Sequence, residues 1–168
     1  MKFLPFHTRI LTNRIPGETT LIIALSGCKL HCLGCGIPER QKDLGLELTL
    51  PQLDNLITDY GKGITCVCFM GEGDRKIEHM NSRAKRVKEK YGLKTALFTG
   101  RAIIPQSLDL SLFDYVKIGS YIKDRGPLVK PTTNQRLYQI IHKDKNTYSL
   151  EDITYKYWKK HENILSKN

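Results

Sequence analysis

Long apolar runs are missing from this sequence. The stretch at residues 21–25 stops after five, far short of the roughly 20 apolar residues that a membrane-spanning helix needs. A membrane partner is therefore not expected. Pro5 and His7 interrupt the run that an export signal would require, which points to a cytoplasmic protein. Acidic residues are also few, 17 against 27 Lys and Arg, leaving a formal net charge of +10. Such a surplus suits a negatively charged partner, whether nucleic acid, an acidic protein surface or an anionic cofactor. Cysteine is scarce and odd in number, at five. In a chain without an export signal this argues against a disulfide framework and for metal or redox chemistry. Internal repeats and low-complexity tracts are missing as well. What remains is ordinary for a folded protein, with 40% hydrophobic and 26% charged residues. At 168 residues the length fits one domain.

Periodicity organises that domain. Residues 19–25 (TTLIIAL) and 64–70 (ITCVCFM) are continuously apolar and β-branched, too short for helices, and read as buried strands. Residues 94–98 and 114–118 repeat the pattern at shorter length. A helix is expected after Asp74 as N-cap, with Ile77, Met80, Ala84, Val87 and Tyr91 on one face and Gly92 as its stop. Another spans residues 49–60, with Leu53, Leu56 and Ile57 on one face, Pro51 in the first turn and Gly61 at the end. Ser149 and Asp152 resemble a capping box that would open a last helix carrying Ile153 and Tyr157. The reading is thus one domain over residues 1–148, followed by a C-terminal helix and basic tail over 149–168. Strands alternating with helices give the α/β class, with a mostly parallel sheet. Ligands of such sheets bind outside the carboxyl ends of the strands, here residues 26–38 and 71–74. A complete eight-unit barrel needs roughly 250 residues, so only a partial, open (β/α) barrel is within reach.

The chemistry is concentrated after the first of these strands. Gly27-Cys28-Lys29-Leu30-His31-Cys32-Leu33-Gly34-Cys35-Gly36 brings three cysteines into one short loop rich in glycine. Three thiolates suit three corners of a 4Fe-4S cluster, whose fourth iron would keep an open coordination position. Zinc is an alternative, since it accepts Cys3His sites, although His31 adjoins Cys32 and is poorly placed to reach the same ion. Cys66 and Cys68 read differently. Two residues apart on a buried strand, they face one side and behave as small apolar residues.

Three-then-two cysteine spacing after a first strand resembles the radical S-adenosylmethionine (SAM) enzymes. The segment Met70-Gly71-Glu72-Gly73 is similar to that superfamily's Gly-Gly-Glu motif in two positions of three. Within the superfamily, the anaerobic ribonucleotide reductase activating proteins are the nearer resemblance. It rests on Pro16-Gly17-Glu18, the cysteine loop with His31, Phe98-Thr99-Gly100, and Thr132-Thr133-Asn134-Gln135-Arg136, taken in that order. Three departures accompany it. Leu33 and Gly36 stand where aromatics often follow the second and third cysteines, and Ile118-Gly119 replaces Asp-Gly.

The resemblance implies a 4Fe-4S cluster on Cys28, Cys32 and Cys35, with SAM chelated to the open iron. It further implies SAM contacts from Gly71, Glu72 and Gly73, with capping of the following helix as the other role open to Glu72. Lys117 would meet the SAM carboxylate or else be a solvated lysine. The implied activity is cleavage of SAM to a 5'-deoxyadenosyl radical and formation of a glycyl radical on an anaerobic ribonucleotide reductase. A flavodoxin- or ferredoxin-type protein would donate the electron. Two alternatives stay open: a radical SAM enzyme acting on a small molecule such as a deazapurine precursor, and a zinc-knuckle nucleic-acid binder. Tyr155, Tyr157, Trp158, Lys159 and Lys160 mix aromatic and basic residues as nucleic-acid contacts do. They equally suit a helix packed on the domain, and nucleic acid is the less expected partner.

Overall fold

The apolar β-branched segments form the centre of the fold in the computed structural model, which describes residues 1–71, 76–144 and 147–158. In chain order the elements are β1 (Lys2–Phe3), β2 (Arg9–Thr12), β3 (Thr19–Ala24), β4 (Leu46–Glu47), α1 (Leu50–Tyr60), β5 (Cys66–Met70), α2 (Ile77–Tyr91), β6 (Lys94–Phe98), β7 (Tyr115–Ile118), β8 (Arg136–Asp144) and β9 (Thr147–Asp152). β1 and β4 pair in a small ladder, and the other seven strands form one sheet in the order β2-β3-β5-β6-β7-β8-β9. β3, β5, β6 and β7 are parallel, while β2 and β8 run against them and β9 runs with them. The mixed α/β class and the mostly parallel sheet expected from the pattern are present.

The four parallel strands follow one another across the sheet without reversing direction. Right-handed crossovers then lie on a single face. Both helices do: Leu53, Leu56 and Ile57 of α1 and Ile77, Met80, Ala84 and Val87 of α2 join Leu21, Ile23, Val67, Phe69, Leu97 and Val116 in one core. The opposite face carries a second cluster, Ile22, Cys66, Cys68, Ala96, Phe98, Tyr115, Leu137 and Ile153, with no α-helix over it among the described residues. Strict alternation along β3, β5 and β6 assigns each residue to one of these layers.

Both helices start and stop near the positions their sequences mark. The Thr49 hydroxyl accepts the Gln52 amide at 3.2 Å as N-cap of α1, and Gly61 closes it. Gly92 ends α2 in the left-handed conformation, which glycine adopts without a Cβ penalty. Asp74, expected as the cap of α2, lies outside the described residues, and Lys76 occupies the cap position without a side-chain capping bond.

The C-terminal expectation is corrected. Ser149 and Asp152 do not open a helix; residues 147–152 form β9, paired antiparallel with β8. The physical reason is that the Asp152 carboxylate accepts from the Thr154 amide at 2.9 Å and its hydroxyl at 2.5 Å. That local turn uses the carboxylate two residues on and starts only a short 3-10 turn, Thr154–Tyr157. Lys159, Lys160 and the rest of the expected tail lie outside the described residues.

Candidate functional site

Ala24, Met70, Phe98 and Lys117 stand side by side in register at the carboxyl ends of β3, β5, β6 and β7. Beyond this row lies a cavity of about 540 Å3. Cys28, Cys32 and Cys35 line it together with Met70 and Gly71 at the end of β5, Phe98 to Gly100 at the end of β6, and Lys117 and Gly119 at the end of β7. The three loop cysteines and three of the four strand ends therefore share one space. This is the edge where parallel sheets hold their ligands. Gly71 and Lys117 reach the same cavity, whereas Glu72 and Gly73 lie outside the described residues.

The cysteine loop is anchored at both ends. The Gly27 amide donates to Lys42 O at 2.9 Å and the Cys28 amide to Arg40 O at 2.8 Å. Ser26 Oγ donates to Leu44 O at 2.6 Å. Within the loop the Cys35 amide bonds Cys32 O at 3.2 Å, and the Cys35 thiol donates to Ile37 O at 3.3 Å. Gly34 takes a positive φ of 76°, and a Cβ there would stand 3.1 Å from the Tyr121 ring. At Gly100 a Cβ would meet the Leu30 side-chain tip at 2.5 Å, so the loop packs closely on the end of β6 and Leu30 would have to shift. All five cysteines are free, with Cys28, Cys32 and Cys35 partly exposed. Cys66 and Cys68 are fully buried, as expected of core residues. Burial pushes the Cys68 thiol up to about 12 and raises Cys66 further, which keeps both protonated and unreactive.

Cationic groups gather around the loop. Arg40 donates from Nη1 to Met70 O at 3.2 Å and from Nη2 to Cys35 Sγ at 3.7 Å. Arg14 lies over the Phe98 ring at 5.5 Å. Lys117 is buried rather than solvated, and donates to Gly119 O at 2.6 Å and Thr99 O at 3.4 Å. Burial first, then the charge of Arg14, lowers its pKa to about 7. No carboxylate is among the described residues lining the cavity, while Arg9, Arg14, Arg40 and Lys117 are.

Residues 132–136 brace the far wall. The loop after β7 begins at Gly119 with φ of 92°, where a Cβ would stand 3.0 Å from Asn134 O. Asn134 Nδ2 donates to Ser120 O at 3.0 Å and Gln135 Nε2 to Gly119 O at 3.4 Å. Thr132 Oγ1 donates to Arg125 O at 2.7 Å, and Arg136 Nη1 to Thr133 O at 2.8 Å. The segment thus ties the start of β8 to the loop that carries Gly119 and Tyr121.

Comparisons with protein-family models, curated proteins and solved structures find no match to this chain.

The donor set decides what the loop can hold. Among the described residues no group of three His, Cys, Asp or Glu side chains is gathered closely enough for a single metal ion. Tetrahedral zinc with Zn–S bonds of about 2.3 Å would draw thiolates to about 3.8 Å from one another. A cubane cluster asks less, because each thiolate binds a different iron. Three partly exposed thiols around one cavity, with an arginine at one of them, fit a cluster. His31 is exposed on the loop, lines the same cavity and faces Gln41 Oε1 at 3.4 Å. Spacing alone marked the cysteines; Arg14 and Arg40 carry no such mark, since only the fold brings them to the loop.

Proposed function

We propose that the chain is a radical SAM activating enzyme that generates a glycyl radical on an anaerobic ribonucleotide reductase. The observation that carries this reading is the meeting of the three loop cysteines with the carboxyl ends of β5, β6 and β7 around one cavity. The one-directional strand order with both helices on one face supports a partial, open (β/α) barrel of the radical SAM type. Cys28, Cys32 and Cys35 would hold a 4Fe-4S cluster. When bound, that cluster supplies the low-potential electron that cleaves SAM, with a flavodoxin- or ferredoxin-type protein as donor.

The chain's own residues orient, exclude and balance charge. Gly71 lines the cavity with its amide held by Phe98 O at 2.9 Å, and its carbonyl would accept from the SAM amino group, with Glu72 and Gly73 next in sequence. The buried Lys117 amino group lines the cavity, and its protonated form would pair with the SAM carboxylate. Phe98 and Leu30 close the wall against water. The basic surface, with formal charge +10, would steer an acidic reductase or electron donor.

A second reading keeps the cofactor and changes the substrate to a small anionic molecule such as a deazapurine precursor. The cationic lining of Arg9, Arg14, Arg40 and Lys117 favours it. The zinc-knuckle alternative would use the same three cysteines, with no fourth cysteine among the described residues lining the cavity, and metal analysis separates it from both readings. The test is anaerobic incubation of the iron-loaded protein with dithionite and SAM. Methionine and 5'-deoxyadenosine should form, and should vanish in Cys32→Ala. A glycyl radical signal on an added reductase would select the first reading over the second, and a loaded chain that leaves SAM intact would reject both.

A further inference from the structure

Arg40 is joined to the cysteine loop twice. Its carbonyl accepts the Cys28 amide at 2.8 Å, and its guanidinium donates to Cys35 Sγ at 3.7 Å. The same guanidinium reaches Met70 O at 3.2 Å, at the end of β5. A Cβ on Gly71 would stand 3.6 Å from Nη1, an ordinary contact, and 3.0 Å from Leu25 O, so the guanidinium passes close beside this glycine. Arg40 Nε is buried without a partner. The guanidinium is therefore oriented by Cys35 and Met70 at the expense of one of its own bonds. Neighbouring Glu39 faces His7 at 3.7 Å, and among the described residues no carboxylate pairs with Arg40. Among the described residues, the groups that the guanidinium meets are thus the Cys35 sulfur and the Met70 carbonyl, which leaves its charge beside that thiol.

We infer that Arg40 is a positioning residue for the iron-sulfur site, holding Cys35 against the end of β5 and raising the cluster's reduction potential through its charge and its bond to the ligand sulfur. The inference rests on the proposed cluster reading. Hydrogen bonds and positive charge at ligand sulfurs stabilise the more negative, reduced state. The reaction affected is the gain of one electron by the cluster, taken from dithionite or from a flavodoxin-type donor; no bond forms or breaks. Arg40 thereby eases an electron entry that low-potential clusters resist.

The test uses the full chain reconstituted anaerobically with iron and sulfide, as wild type, Arg40→Gln and Arg40→Lys. Far-ultraviolet circular dichroism checks that each is folded. Iron and sulfide content and a redox titration followed by electron paramagnetic resonance are the readouts, neither of which needs turnover. Arg40→Gln should titrate at a more negative potential and give a several-fold smaller reduced signal at a fixed dithionite concentration, with Arg40→Lys between it and the wild type. A folded Arg40→Gln that loses its cluster while Arg40→Lys retains it also supports the inference. Arg40→Gln titrating with the wild type, or Arg40→Lys failing to load as Arg40→Gln does, would overturn it. A wild type that takes up no iron and sulfide refutes the cluster reading instead.

Discussion

Two buried ionisable residues at opposite ends of the sheet both make stability rise with pH, in two different ranges. Lys117 is held at about 7 by burial, whereas an unfolded lysine keeps its proton to about pH 10. Between those values the unfolded chain binds more protons, so stability rises with pH. Thermal melts of the iron-free protein from pH 7 to pH 9 should show rising midpoints, with a flatter profile in Lys117→Met. Equal slopes in the two proteins would count against a buried lysine. Glu18 lies at the other end, accepting from Thr65 at 2.5 Å, Lys94 at 2.6 Å and Tyr115 at 2.7 Å. Burial alone would raise its carboxyl, but the bonds from Lys94, Thr65 and Tyr115 outweigh it and hold it below the usual carboxylate value. Its contribution is present above the unfolded value of about 4.5 and is lost as pH falls through the lower folded value. Gln keeps one oxygen for Lys94 and Tyr115 but removes the charge and turns the atom facing Thr65 into a donor, and Glu18→Gln should cost about 2 kcal/mol in a denaturant titration. Glu18 stood out in the sequence only as part of a resemblance; its physical role is to join β3, β5, β6 and β7 below the site.

The elements differ in how plainly the sequence announces them. β3, β5, β6 and β7 are buried strands, and their apolar residues stand together in the sequence. α1 is just as plain, with an apolar face and a cap at each end. Thr49→Ala should lower stability by about 1 kcal/mol, read as a shift in denaturant midpoint with unchanged slope; no shift would mean that the Gln52 amide finds another acceptor. β8 and β9 were not legible. Arg136, His142 and Lys143 interrupt β8, and β9 is mostly exposed, so neither shows a clean apolar side. Ser149 and Asp152 then imitated a helix start, because the same short polar side chains serve caps and turns. The loop after β7 was equally hidden, since residues 132–136 act through bonds to a segment distant in sequence. Gly119→Ala should loosen that wall: its Cβ would press on Asn134 O and Gln135 Cα, each at 3.0 Å, from a positive φ. Faster hydrogen exchange through residues 119–126 is the expected readout, and unchanged exchange there would contradict the bracing role.

At the scale of the whole molecule, the sheet places a thiol loop, a buried lysine and a set of arginines at one edge and puts both helices on one face. The cysteines of this arrangement were legible from spacing, and Lys117 from its place at the end of a strand. Arg14 and Arg40 were not, because they enter the cavity through folding alone. A chain carrying +10 should associate with an acidic electron donor at a rate that falls several-fold as salt is raised from about 0.05 to about 0.5 M. A salt-independent rate would leave the basic surface a solvated one. The central claim is that the cysteine loop carries a cluster with one iron open to SAM. Its most direct test is electron paramagnetic resonance of the reconstituted, dithionite-reduced protein with and without SAM. The account predicts a reduced 4Fe-4S signal whose shape changes when SAM is added. A protein that stays colourless and retains stoichiometric zinc, or a cluster signal indifferent to SAM, would contradict it.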